Sequence, residues 1–182
     1  MVINESGLCA AMKAAFGKKS TGYKVASRVN ADEEVEIVLS APGWTAVMTR
    51  GNAPRKVLAL IVEHMGDIPN PGEAFQIKDK QAQCTIYEMS VPELPKKTAA
   101  EVKRTPITYK GYQIYQRTDD NSVYMVSPKV EALLDSTLIP LGVTDKDRFC
   151  AAGVASTLFL SPEDVMQDET AALGHLEEFR WT

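Results

Sequence analysis

The run from Tyr23 to Met48, YKVASRVNADEEVEIVLSAPGWTAVM, holds three short β-prone segments, Tyr23 to Val29, Val35 to Leu39 and Trp44 to Met48. Two breaks separate them. The first is the acidic cluster Asp32, Glu33, Glu34 and Glu36, and the second is Ala41-Pro42-Gly43, whose proline and glycine favour a tight turn. Strand, turn, strand, turn, strand reads as an antiparallel meander. Before it, LCAAMKAAF places Leu8, Met12 and Phe16 four residues apart, which predicts a short amphipathic helix ending at Gly17. After it, APRKVLALIVEHMG predicts a second helix, with Asn52 as cap, Pro54 near the first turn and Gly66 as stop. The residues Val57, Leu58, Leu60, Ile61, Val62 and Met65 cover most of its circumference, so it should lie buried against the sheet. Two further runs, Ala74 to Ile77 and Cys84 to Met89, predict a hairpin with Asp79-Lys80-Gln81 at its tip.

Residues Pro92 to Pro106 hold three prolines and scattered charges, and read as a connector with one helical turn around Ala99 to Lys103. Beyond it, Tyr112 to Gln116 and Val123 to Val126 flank Thr118-Asp-Asp-Asn-Ser122, a hairpin pattern. Ser127-Pro128 opens a helix through Leu134, and Asp145 to Ala155 has helical composition. Thr157 to Leu160 reads as a strand that leads into Ser161-Pro162-Glu163-Asp164, the start of a last helix running to about Phe179. The expectation is an α+β fold of two small lobes, residues 1–91 and 107–182, each an antiparallel sheet or hairpin packed against helices, joined by the connector 92–106.

At 182 residues the chain can bury a real core, and 45% hydrophobic with 24% charged residues is the composition of a globular protein. No apolar run approaches the roughly 20 residues of a membrane span, and the N-terminal stretch lacks signal-peptide character. Cys9, Cys84 and Cys150 are widely spaced and form no CxxC pair, which fits neither a disulfide framework nor a zinc site. A cytoplasmic protein is expected. Net charge is −4 but unevenly placed. Basic residues from Lys13 to Arg28 precede the acidic cluster, and Lys96, Lys97, Lys103, Arg104, Lys110 and Arg117 precede an acidic tail containing Glu163, Asp164, Asp168 and Glu169. Such a bipolar exterior suits a partner of mixed charge.

Candidate chemistry is sparse. Histidine is the usual base near neutral pH, and only His64 and His175 are present. A thiol enzyme centred on Cys84 or Cys150 with His64 is one reading, although no nucleophile-elbow or thiol-protease signature accompanies it. No GxGxxG or Walker A loop exists, and the nearest anion site is Arg50-Gly51-Asn52 with Arg55 and Lys56 entering a helix. Glu101-Val102-Lys103 matches a bare acid-x-Lys pattern but falls in the connector. Neither a catalytic group, a metal site nor a cofactor is expected.

The stretch APGWTAVMTRGNAPRKVLALIVEHMGDIPNPGEAF, residues 41–75, resembles small accessory proteins of phages and mobile elements of gut bacteria. Among these it is most similar to an anti-CRISPR family that inhibits the RNA-guided DNA nuclease of type II systems. The resemblance implies a non-enzymatic inhibitor that binds the guide-loaded effector nuclease by occupying its surfaces. The acidic residues Asp32, Glu33, Glu34 and Glu36, with Glu163, Asp164, Asp168 and Glu169 of the last helix, would then be the first contacts with a basic channel. The alternative is a nucleic-acid-binding accessory protein, in which Lys96, Lys97, Lys103 and Arg104 meet phosphates while Tyr112 and Tyr115 stack on bases.

Overall fold

The structure, a computed structural model, describes residues 2–84, 101–135, 141–143, 149–153, 155–160 and 167–181. The first helix, α1 (Glu5–Phe16), starts earlier than the apolar spacing indicated, because Asn4 caps it by accepting the Gly7 N–H at 2.9 Å. The meander follows as β1 (Tyr23–Val29), β2 (Val35–Ala41) and β3 (Trp44–Thr49), paired antiparallel with Val38 opposite both Ala26 and Val47. A single 3-10 turn, Arg50–Asn52, leads into α2 (Arg55–Met65). Gly66 ends α2 at φ 96°, a left-handed cap that donates its N–H to Val62 at 2.7 Å.

The next hairpin, β4 (Ala74–Lys78) and β5 (Gln81–Cys84), turns at Asp79-Lys80 within the expected tip, and its second strand starts at Gln81, three residues earlier than expected. Asp79 and Lys80 both adopt positive φ, 51° and 59°, as a two-residue turn of the primed kind requires. Their N–H groups are drawn into place by orphan carbonyls at the end of α1, Lys80 to Phe16 at 3.0 Å and Asp79 to Lys18 at 3.2 Å. Residues 85–89, expected in the second strand, lie outside the described residues.

Residues 101–106, expected in a connector with a helical turn, instead begin a long strand, β6 (Glu101–Tyr109). Two features override the local reading. Val102 is buried against the core, and Pro106 falls where the β6 register shifts between Arg104 and Thr108, so the N–H it lacks is not needed by the ladder. The hairpin β7 (Tyr112–Arg117) and β8 (Val123–Val126) forms as expected, followed by a single-turn helix, α3 (Pro128–Glu131). The helical composition of 145–155 also misleads: β9 (Leu141–Val143), β10 (Phe149–Ala152) and β11 (Ser156–Leu160) are strands held by sheet pairing. The last helix, α4, spans Gln167–Glu177. Its expected Ser161-Pro162 start lies outside the described residues.

All strands among the described residues join one antiparallel sheet of eleven, in the order β5-β4-β1-β2-β3-β11-β10-β9-β6-β7-β8. The pairing of β3 with β11 stitches the first segment of the chain to the second. One core crosses that seam, containing Leu8, Met12, Val25, Leu39, Met48 and Ile61 from the first segment and Val102, Tyr115, Phe149 and Leu158 from the second. The sheet curls sharply at its second end. Phe149 on β10 lies 5.0 Å from the ring of Tyr124 on β8, although four strand spacings of about 4.8 Å would hold those strands roughly 19 Å apart in a flat sheet. Helices α1 and α2 pack at the β5-β4-β1 end, whereas α4 packs on the opposite face of β7 and β8, through Leu173 against Ile114, Val123 and Met125. Among the described residues no helix is long and apolar enough to cross a membrane.

Candidate functional site

Two of the three groups of the thiol-enzyme reading, His64 and Cys150, are committed to packing. His64, 8% exposed, stacks on Phe16 with centroids 3.7 Å apart and planes within 3°. Its Nδ1 shares a 2.8 Å hydrogen bond with the Tyr23 hydroxyl. Burial lowers the His64 pKa and raises that of Tyr23, so both groups are held neutral. Cys150 is buried and its thiol is pushed up to about 11 by that burial, the reverse of what a nucleophile needs. It faces Val38, Val47 and Phe159 on the side of the sheet opposite the core that holds His64's partner Tyr23. Cys84 is exposed on the edge strand β5. His175 is exposed and lies 3.3 Å from Glu178. Among the described residues no group of three or more His, Cys, Asp or Glu side chains converges as a metal site would require.

The acidic cluster forms the tip of the β1–β2 hairpin. Asn30 organises it, its side-chain oxygen accepting the N–H groups of Asp32 and Glu34 at 2.9 Å each, while its own N–H bonds the Glu34 carbonyl at 2.9 Å. The carboxylates of Asp32, Glu33 and Glu34 stand exposed on this rigid turn. Glu33 takes φ 61°, a position where glycine or asparagine is at ease and a glutamate is strained. Glu36 differs from its neighbours: it is paired with Arg28 at 2.9 Å and bonded by Asn30 at 3.2 Å, so its charge is locally answered. Glu163 and Asp164 lie outside the described residues, and Asp168 and Glu169 fall on the first turn of α4.

The described residues among those proposed to contact nucleic acid, Lys103, Arg104, Tyr112 and Tyr115, do not assemble into one surface. Tyr115 is corrected outright: at 2% exposure its ring packs against Phe149, and its hydroxyl donates to Glu131 at 3.0 Å, so no base can stack on it. Tyr112 is half-buried against the cluster under α4. Arg104 shares Glu131 with Tyr115, at 2.8 Å, and this partner raises the guanidinium pKa further. Lys103 pairs with Glu101 at 3.7 Å, and by strand alternation it points to the face opposite Arg104. Lys96 and Lys97 lie outside the described residues.

A surface that the sequence reading passed over lies at the other end of the chain. Gln116 is fully buried, and its amide N donates to the carbonyls of Phe179 at 2.8 Å and Asn121 at 3.1 Å. Its side-chain oxygen accepts the Trp181 N–H at 2.9 Å. The indole of Trp181 donates to Leu176 at 2.7 Å, and Glu177 accepts the Val123 N–H at 3.0 Å. These bonds fix residues 179–181 against the β7–β8 hairpin, yet the aromatic side chains remain outside. Phe179 is 59% exposed and Trp181 37%, edge to face at 5.9 Å, with Arg180 exposed between them. Two aromatics alternating about an arginine in an otherwise acidic tail, EEFRWT, was the signal in the sequence. Beside this ledge, Arg117 grips Asp119 through two bonds of 3.0 and 2.7 Å, which holds that carboxyl below its ordinary range. No family model, curated protein or solved structure matches this chain.

Proposed function

We propose that the protein is a non-enzymatic binding protein that docks on another macromolecule, and that its partner is the guide-loaded effector nuclease of a type II CRISPR system. The observation that carries the binding reading is the aromatic ledge. Large apolar rings at the surface are costly to order, and here a buried glutamine commits two of its three hydrogen bonds to the backbone of Phe179 and Trp181, whose rings stand in the open. Rigid aromatics with an arginine are the residue types that dominate binding hot spots. The strained acidic tip at Asp32, Glu33 and Glu34 supports a second contact, since strain retained on an exposed turn points to a role for that side chain. A basic nucleic-acid channel is the surface such carboxylates complement, and the choice of nuclease follows the resemblance of residues 41–75.

In this reading the two ends of the sheet act as two lobes, one presenting the acidic hairpin and the other the ledge, in the cytoplasm where the effector works. The test mixes purified protein with guide-loaded type II nuclease and measures co-elution and DNA cleavage. Complex formation with slowed cleavage, lost in Phe179→Ala/Trp181→Ala, is the expected result. Unchanged cleavage by several effectors with no co-elution overturns the partner, and a double variant that binds as well as the parent overturns the ledge.

A further inference from the structure

A groove of about 430 Å3 runs beside α1, with no residue of the ledge in its lining. Its volume is within the range of about 300–1,000 Å3 seen for small-molecule sites. At about 30 Å3 per water-sized group it accommodates roughly fourteen such groups. One wall is the outer face of α1, where Ala10, Ala11 and Ala14 carry only methyl groups and so leave the trough unfilled. The other wall is the β2–β3 turn, with Pro42 and Trp44, continued by Val130 of α3. Among the described residues the only charged side chains lining it are Lys18 and Lys129, and neither is in an ion pair with another described residue. An apolar trough bearing two cations and, among the described residues, no carboxylate, on a chain of net charge −4, selects an apolar anion.

Polar groups near Lys129 are also free to bind. Ser127 precedes α3 yet makes no capping hydrogen bond through its side chain, so its hydroxyl is available two residues from Lys129. Trp44 is 6% exposed on the groove wall, and no described residue accepts its indole N–H. The two lysines mark opposite ends, since Gly7 abuts Ala132 of the α3 end while Lys18 follows the far end of α1, whose span from Gly7 to Phe16 is about 14 Å. Lys18 follows the C-terminus of α1, where backbone carbonyls disfavour an anion. The Lys129 end carries no such penalty.

We propose that this groove is a binding site for a long-chain alkyl carboxylate, its chain along the alanine face of α1 and its carboxylate held by Lys129 and Ser127. The Lys18 stem covers the far end of the chain. The site is independent of the macromolecular partner and of the ledge.

Myristate, kept below its micelle concentration, is titrated into Trp181→Phe protein, in which Trp44 is the only indole, while Trp44 emission and the heat of binding are followed. Saturable binding with a Trp44 response is expected. Lys129→Ala should weaken it by about tenfold or more, as loss of a charge-assisted bond implies. Lys18→Ala should change it less than about threefold, since its exposed methylenes only cover the chain. Ala14→Phe, or Ala10→Leu if that variant misfolds by circular dichroism, should abolish binding by filling the trough. Absence of saturable binding overturns the proposal, as does equal affinity in Lys129→Ala or equal affinity for tetradecyltrimethylammonium. An acidic amphipathic peptide that occupies the groove when myristate does not would overturn it in favour of a protein ligand.

Discussion

Replacing Gln116 by leucine tests the structural claim on which the ledge depends. Leucine retains most of the buried volume, so the change removes chemistry more than packing. Three hydrogen bonds disappear: two donated to Asn121 and Phe179, and one accepted from Trp181. At about 1 kcal/mol net for each, the loss is roughly 3 kcal/mol if none is replaced by water. The Phe179 carbonyl and Trp181 N–H belong to exposed residues and regain water once the tail lifts, so about 2 kcal/mol is the better expectation. For a chain of this length that corresponds to a fall in Tm of about 4–8 °C.

The tail should loosen without leaving altogether. The Trp181 indole bond to Leu176 and the Glu177 bond to Val123 survive the substitution. Hydrogen exchange at the Trp181 amide is therefore the decisive assay, because in the parent that N–H is accepted by a fully buried oxygen. Exchange in Gln116→Leu should approach the rate of an exposed amide while the strands of the distant end keep their protection. A variant with unchanged Tm and a still-protected Trp181 amide would refute the reasoning, since the ledge would then be held by something other than Gln116. Partner binding should fall in the same variant, although every surface side chain is retained.

The pH dependence of stability should carry the signature of His64. Its folded pKa is lowered by burial, so its contribution is complete above the unfolded value of about 6.5 and is lost as pH falls through the lowered folded value; urea unfolding from pH 7.5 downward should show this slope, and His64→Phe should flatten it. Gly7→Ala should destabilise by about 1–3 kcal/mol because a methyl there overlaps the Ala132 carbonyl, whereas Gly17→Ala, which meets nothing within 4 Å, should be neutral or slightly stabilising by thermal melts. Glu33→Gly should raise stability by about 0.5–1 kcal/mol by relieving positive φ, and at the same time weaken partner binding; a gain in both would remove the acidic tip from the interface. Alkylation of the folded protein should reach Cys84 first and Cys150 last, given exposure of the one and the raised pKa of the other, and rapid labelling of Cys150 would reopen the thiol-enzyme reading.

What the sequence disclosed, and what it concealed, follows from the range of the forces involved. The meander was legible because alternation and the Pro42-Gly43 turn act within a few residues, and α2 was legible because its apolar positions and Gly66 do the same. The strand β6 was not. Pro106 within it, with Pro92 and Pro95 before it, argues locally for a connector, and only the partners β7 and β9, together with a register shift that shelters Pro106, make a strand of it. Residues 149–152 fail the same way, since alanine and cysteine carry little strand preference until β9 and β11 flank them.

The same distinction separates the acidic tip from the ledge. Asp32, Glu33 and Glu34 are exposed because the turn that displays them is made by Asn30, two to four residues away, so composition alone located them. Phe179 and Trp181 are displayed by Gln116, more than sixty residues upstream in the middle of a strand, and nothing local distinguishes that glutamine from a solvent-facing one. Tyr115 is the converse case. Next to it in the chain, it has the look of a surface aromatic, yet its alternate position turns it onto Phe149 and into the core while Gln116 turns to the other face. A shift of one residue in the β7 register would exchange the two, turning the ledge's anchor onto the core face and the tyrosine beneath the C-terminal tail, which makes the register of this one strand the feature that decides whether Phe179 and Trp181 are held in place.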